Sequence, residues 1–310
     1  MKKHFSGFVS ILGRPNAGKS TLLNALVGDK LAIVSDKPQT TRTSIQGVLT
    51  IPGAQVVFVD TPGIHKSTSL INKRMMDTVR AALDGRDLLL FLDDASAPFG
   101  EEDEHALSVL NGVETPAFLL LNKIDRVEDK RLLLARIERY RALHAFEEFF
   151  PISARTLDGV DELKKAIVGR MPAGPAFFPP DYVTDQPERF IGAELIREKI
   201  LRETRQEVPH SVAVLVDKWE DAPKLLRISA TIYVERSGQK AIVIGSKGAM
   251  LKRIGAAARE EIERMTGRKV FLELFVKLQP NWRENPEFLN AIDWRSMAGA
   301  DSEPETKVDE

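Results

Sequence analysis

Gly13-Arg14-Pro15-Asn16-Ala17-Gly18-Lys19-Ser20 carries the most chemistry in this chain. It fits the phosphate-loop spacing G-x-x-x-x-G-K-[ST] without mismatch. Glycines at both ends let the backbone curl so that successive N–H groups face an anion. Lys19 is placed to reach terminal phosphate oxygens, the Ser20 hydroxyl to ligate Mg²⁺, and Thr21 extends the set. Phe8–Leu12 before the loop is a short apolar run suited to a buried strand. Thr21–Val27 after it has helical spacing. A helix that starts behind the loop adds its positive end to the same place.

Further candidates follow the ends of other apolar runs. Asp60-Thr61-Pro62-Gly63 ends Gln55–Asp60, where an acid can hold Mg²⁺ through water and a glycine N–H can approach a phosphate. The same four residues also suit an ordinary turn. Asn122-Lys123-Ile124-Asp125 ends Ala117–Asn122. Asp125 can accept two parallel hydrogen bonds from the ring N–H and exocyclic amine of guanine. Adenine offers no such pair. Asn122 would tie this loop to the phosphate loop, Lys123 would lie along the base, and Ser153-Ala154 would present backbone N–H groups to the guanine oxygen.

These positions need a scaffold. Runs at 55–60, 87–93, 117–122 and 149–153 alternate with amphipathic stretches such as 128–143. That alternation predicts an α/β domain with a mostly parallel sheet, helices on both faces and ligands at the carboxyl strand ends. Pro172, Pro175, Pro179, Pro180 and Pro187 cluster at its end. We therefore expect a first domain over 1–172, a proline-rich connector over 173–187, a smaller α+β domain over 188–284 and an extension over 285–310. Acid-rich residues 301–310 are expected to be disordered. The second part has alternating runs at 212–216, 226–234 and 270–278. No repeats are visible.

Composition removes several classes. The chain has 310 residues, no cysteine and a formal charge of −1. Disulfides and thiolate metal sites are excluded. No apolar run approaches a membrane span, and Met1–Phe5 lacks the apolar region of a signal peptide, so a cytoplasmic location is expected. The near-neutral total hides an asymmetry. Between Lys240 and Arg283 ten basic residues face four acids, a local net of +6. Such segments suit a phosphate backbone, although Glu260, Glu261 and Glu263 also suit a solvated helix. Gly245-Ser246-Lys247-Gly248 lies inside this segment ahead of a helical run over 249–265. A G-x-x-G loop with a basic residue can grip single-stranded nucleic acid, with Lys252 and Arg253 beside it. Ala241–Ile244 reads as strand by local propensity.

The ordered set 13–20, 60–63, 122–125 and 153–154 resembles translation-factor-class GTPases. The G-x-x-G segment resembles KH domains, which would make 241–244 a short helix. Together with Gln39–Arg42, the Pro180-Asp181-Tyr182 linker, 190–199 and 238–248, the chain is similar to the bacterial Era family over most of residues 5–283. That resemblance implies a P-loop GTPase domain followed by a type II KH domain, with GTP or GDP and Mg²⁺ as ligands. It implies slow intrinsic hydrolysis and binding of the 3′ end of 16S rRNA, with a role in 30S subunit biogenesis. It suggests a monomer and peripheral attachment to the inner face of the cell membrane, for which the sequence offers no amphipathic anchor. Thr41 would join Ser20 and Asp60 at the metal, with Thr40 the alternative. The position where Ras-like enzymes carry a water-orienting glutamine is Ile64. Asn16 stands where potassium-activated relatives have asparagine, which adds K⁺ as a candidate cation. Lys19, Thr41, Gly63 and Asn16 are thus the catalytic candidates. Residues 35–45 and 63–76 are expected to move with the nucleotide.

Overall fold

The computed structural model describes residues 3–37, 39–64, 69–204 and 208–294. Residues 38 and 65–68 of the two expected switches, and the tail 301–310, lie outside the described residues. The rest groups into two compact units, the first ending at Asp185 and the second running on from Gln186, with Ser69–Ile71 grouped with the second.

The first unit runs β1 (Phe5–Gly13), α1 (Lys19–Val27), β2 (Ile45–Ile51), β3 (Ala54–Asp60), α2 (Leu70–Ala81), β4 (Leu88–Asp94), α3 (Glu101–Ser108), β5 (Ala117–Asn122), α4 (Arg131–Leu143), β6 (Glu148–Pro151) and α5 (Val160–Arg170). Its sheet has the order β2-β3-β1-β4-β5-β6. β2 is antiparallel to β3, and every other pairing is parallel. Alternation within the central strands explains why helices cover both faces. Leu88, Leu90 and Leu92 of β4 and Phe118 and Leu120 of β5 pack with Leu22, Leu26, Leu163 and Ile167 of α1 and α5. Leu89, Phe91, Leu119 and Leu121 pack on the opposite face with Leu107 and Tyr140 of α3 and α4. Fully buried leucines of this kind lose about 2–5 kcal/mol on truncation to alanine.

The proline-rich segment is bound along the base of this sheet. Ser6 N donates to Pro172 O at 3.0 Å, and Gly174 N to His4 O at 3.0 Å. The buried Gln55 carboxamide accepts from Phe177 N and Phe178 N at 2.7 and 2.9 Å and donates to Phe178 O at 3.0 Å. Val48 N donates to Val183 O at 2.8 Å, and the Thr184 hydroxyl to Gln46 O at 2.6 Å.

The second unit runs α6 (Glu188–Glu203), β7 (Ala213–Ala222), β8 (Leu225–Val234), α7 (Ser237–Ile244), α8 (Ala249–Thr266), β9 (Val270–Leu278) and α9 (Pro286–Ala291). β7 and β8 are antiparallel, whereas β8 and β9 are parallel. The αββααβ order is that of a type II KH domain. Residues 241–244 are helical, contrary to their strand propensity. The Gln239 side chain accepts from Glu235 N and Arg236 N at 3.0 and 2.9 Å and caps the helix. Only Val243 of that apolar run is fully buried. Packing and the cap outweigh the β-branched side chains. No helix among the described residues is long and apolar enough to cross a membrane.

Candidate functional site

The loop between β1 and α1 is built on left-handed backbone. Gly18 has φ 102° and opens α1, and Asn16 has φ 62°. A side chain at Gly18 would run into the Asn122 carboxamide, and a Cβ at Gly63 would lie 2.8 Å from Pro15 Cα. Those glycines keep the cradle open and bring the backbone after β3 against the phosphate loop. Lys19 is buried. Its ammonium donates to Gly13 O and Arg14 O at 3.0 and 2.9 Å. Burial pushes it down to about 8, with Asp60 pulling the other way.

Ser20, Thr41 and Asp60 meet in front of it. The Ser20 hydroxyl donates to Asp60 Oδ2 at 2.7 Å and lies 2.8 Å from the Thr41 hydroxyl, which is 3.4 Å from the same carboxylate oxygen. Thr40 instead donates to Lys37 O at 2.6 Å. Burial pushes Asp60 up to about 6, against the Lys19 charge and the hydrogen bonds from Ser20 and Thr41. Its Oδ1 is buried without a hydrogen-bond partner. Two hydroxyls meeting at one oxygen of a carboxylate whose other oxygen is unpartnered form a hard-oxygen set that fits Mg²⁺.

The base recess lies at the ends of β5 and β6. Asn122 donates to Ala17 O at 2.8 Å and accepts from Ala154 N at 3.0 Å, joining three loops. Lys123, at φ 65°, donates to Asn16 O and Asp94 Oδ2, both at 2.6 Å. Asp125 accepts from the Ser153 hydroxyl at 2.7 Å and from Arg155 at 2.5 Å. Burial raises its carboxyl, but the Ser153 hydroxyl and the Arg155 charge outweigh burial and hold it below the usual carboxylate range. The cleft measures about 290 Å³ and reaches from Lys19 to Arg155.

In the second unit, Gly245 has φ 71° and Gly248 φ 78°, flanking a one-turn segment in which Lys247 has φ 50°. A Cβ at Gly245 would lie 2.6 Å from Met250 Cβ, so the first glycine is required by space and by backbone. Gly248 opens α8 into free space. Ser246, Lys247 and Lys252 are exposed, and Arg253 pairs with Glu203.

The family described as "50S ribosome-binding GTPase" matches residues 8–123, and the KH domain family matches 207–283. The GTPase Era of Geobacter metallireducens is 52% identical over 289 residues, covering 93% of this chain and 97% of that relative. The chain belongs to the Era family of GTPases. The Era protein of Leuconostoc citreum is likewise 52% identical over 291 residues, covering 93% and 95%. Two solved Era structures, each 38% identical and covering 94% of this chain and 99% of their own, superpose with TM-scores of 0.89 and 0.90. One is an Aquifex aeolicus variant bound to GDP and AlF4⁻. The other is a complex with MgGDPNP and nucleotides 1506–1542 of 16S ribosomal RNA.

Within this Era-family site most sequence candidates line the cleft: Pro15, Asn16, Gly18 to Thr21, Thr41, Gly63, Asn122, Lys123, Asp125, Ser153 and Ala154. Others stand behind it. Thr61 donates to Ile11 O at 2.8 Å as a tie between strands. The Arg14 side chain pairs with Asp103 at 2.8 Å and lies 3.7 Å from Asp94, so only its backbone serves the phosphate loop. Ile64 is buried in the core and offers no hydrogen bond to water. Ile33, Val34, Arg126 and Arg155 line the cleft without having been singled out from sequence. Arg155 directly follows Ser153-Ala154, and that adjacency was the available signal.

Proposed function

We propose that this cytoplasmic protein is a slow GTP-hydrolysing switch whose nucleotide state sets its grip on the 3′ end of 16S rRNA, and that it thereby assists 30S subunit assembly. The assembly of Ser20, Thr41 and Asp60 beside the buried Lys19 carries this reading. Residues 1–172 hold the nucleotide, 173–187 connect, 188–284 hold RNA and 285–310 extend beyond them. Ser20, Thr41 and Asp60 would hold Mg²⁺, which supplies positive charge to phosphate oxygens. Lys19 holds a second positive charge at the phosphates, and the Gly63 N–H reads the terminal one. Asn122 and Lys123 brace the recess while Asp125 reads guanine. With Ile64 in the water-orienting place, catalysis must come from backbone, switch and cations. Gly245 to Gly248, with Lys252 and Arg253, would clamp the RNA backbone. The relative solved with MgGDPNP and 16S rRNA supports joining the two activities.

The test is RNA affinity measured with a GTP analogue and with GDP. Tighter binding in the GTP state is expected, and equal binding in both states would defeat the switch. Gly248→Asp places an anion at the clamp; the space there is open, and the left-handed φ of 78° adds local backbone strain. RNA affinity should fall at least tenfold with nucleotide affinity unchanged.

Asn16 donates to Asp36 O at 2.9 Å, and its Oδ1 accepts no hydrogen bond from the described residues. That free oxygen fits a monovalent cation beside the phosphates. Turnover should rise several-fold in K⁺ over Na⁺, and Asn16→Ala should remove the difference. Identical rates in both salts would dispose of this role.

A further inference from the structure

β9 carries two rows of side chains. Val270, Leu272, Leu274 and Val276 register with Leu226, Ile228, Ala230 and Ile232 of β8, which are buried. This inner row also meets α8, where a Cβ at Gly255 would lie 3.4 Å from Leu274 Cδ1. The outer row is Phe271, Glu273, Phe275 and Lys277, opposite Arg227, Ser229, Thr231 and Tyr233. Phe271 and Phe275 are 47% and 50% exposed. Tyr233 lies diagonal to Phe275 in this register and meets Phe288 of α9 edge-to-face at 5.0 Å. An aromatic row therefore runs along one face of the sheet.

Single exposed apolar residues need no explanation, but a registered row of rings does. A strand with one buried row should show polar residues on the other. Here two of the four outer residues are phenylalanines. Arg227 and Lys277 are exposed beside them, and neither is held in an ion pair among the described residues. Glu273 stands between the rings. The acids of β7 are engaged, Asp217 by the Thr231 hydroxyl at 2.7 Å and Glu220 by Lys218 at 3.7 Å.

We propose that this outer face is a second RNA site, on which Phe271 and Phe275 stack bases of the single strand that the Gly245–Gly248 loop grips, with Arg227 and Lys277 beside its phosphates. The proposal rests on the RNA-binding reading above and extends it. A G-x-x-G loop holds four nucleotides. The RNA solved with the related Era protein spans nucleotides 1506–1542, far more than four. β9 is the edge strand of its sheet, and α8, which the loop opens, packs on its inner row; a strand leaving the loop would pass over the β9 edge to reach the outer rings. The two rings sit about 13 Å apart along the strand and leave room for one base on each. Base–aromatic stacking tolerates any sequence, and Arg227 and Lys277 supply positive charge for the backbone.

The test uses the full chain with a GTP analogue, Phe271→Ala/Phe275→Ala, and two RNAs. One is the 1506–1542 fragment and the other a four-nucleotide segment of it that fits the clamp. The double variant should bind the long fragment at least tenfold more weakly, equivalent to about 1.4 kcal/mol, and bind the short one as wild type does. Tryptophan at both positions should restore the long-fragment affinity, whereas leucine should not. Unchanged binding of the long fragment, an equal loss on both RNAs or full rescue by leucine would each overturn the proposal. So would concentration-dependent self-association that the alanines abolish while RNA binding stays intact. Wild-type protein that binds neither RNA would remove the RNA reading itself, and this surface with it.

Discussion

Asp125→Asn should convert a guanine-selective site into one that prefers xanthine nucleotides. The carboxylate offers two acceptor oxygens, which match two N–H donors on one edge of guanine. The carboxamide keeps one acceptor and turns the other position into a donor. Against guanine that donor faces an amine, so a buried pair of donors is left unmatched. Against xanthine, whose corresponding group is a carbonyl, the pairing is restored. The substitution keeps the shape of the side chain, and the Ser153 hydroxyl can still find the remaining oxygen. It removes the charge that holds Arg155, but Arg155 is exposed and regains water at little cost. Sites that read a polar edge discriminate by roughly 10⁴-fold or more. GTP affinity should therefore fall by at least two orders of magnitude and XTP affinity rise by a comparable factor. Displacement of a fluorescent GDP analogue by GTP, XTP and ATP measures all three. Retention of the guanine preference would show that the base is read elsewhere.

Most candidate site residues were legible because they follow strand ends in fixed order, and spacing along the chain records that order. Four central strands were legible because burial on both faces leaves unbroken apolar runs. β2 escaped notice because its residues mix Gln46, Gly47 and Thr50 with apolar ones, and it is an edge strand defined by its register with β3. Helix α7 was legible only through resemblance, since its cap depends on Gln239 reaching back to Glu235 and Arg236. The ties around the site are harder still. Asp94 holds Lys123, Asp103 holds Arg14 and Gln55 holds the proline-rich segment. Such pairs span up to 123 residues of sequence and follow no periodicity. Thr41 and Thr40 illustrate the same limit. Neighbours of identical type cannot be separated by pattern, whereas their hydroxyl partners separate them at once.

The ligand-free nucleotide site should be a source of instability, and Asp60→Asn should expose it. Burial raises Asp60 to about 6 and lowers Lys19 to about 8. Both shifts mean that the charged forms present at neutral pH are disfavoured in the folded protein. For Asp60 the folded state binds more protons than the unfolded state between about pH 4 and 6, so stability should rise as pH falls through that window. For Lys19 the folded state binds fewer protons between about pH 8 and 10.5, so stability should rise again as pH climbs there. A shift of roughly two units corresponds to about 3 kcal/mol for Asp60 at neutral pH. Asparagine removes that charge while keeping the shape and an oxygen for Ser20. Nucleotide-free Asp60→Asn protein should therefore melt several degrees higher than wild type at pH 7, with the gain shrinking toward pH 4. The same variant should lose at least a hundredfold in Mg²⁺-dependent GTP affinity, because the orphaned oxygen that fits the metal is gone. Adding Mg²⁺ and GTP should stabilise wild type and leave the variant unmoved. Thermal unfolding followed from pH 4 to pH 10, with and without nucleotide, reads every part of this. A variant less stable than wild type across the whole range would mean that Asp60 is held by its hydrogen bonds more strongly than burial opposes it, and that the site is not primed for a cation.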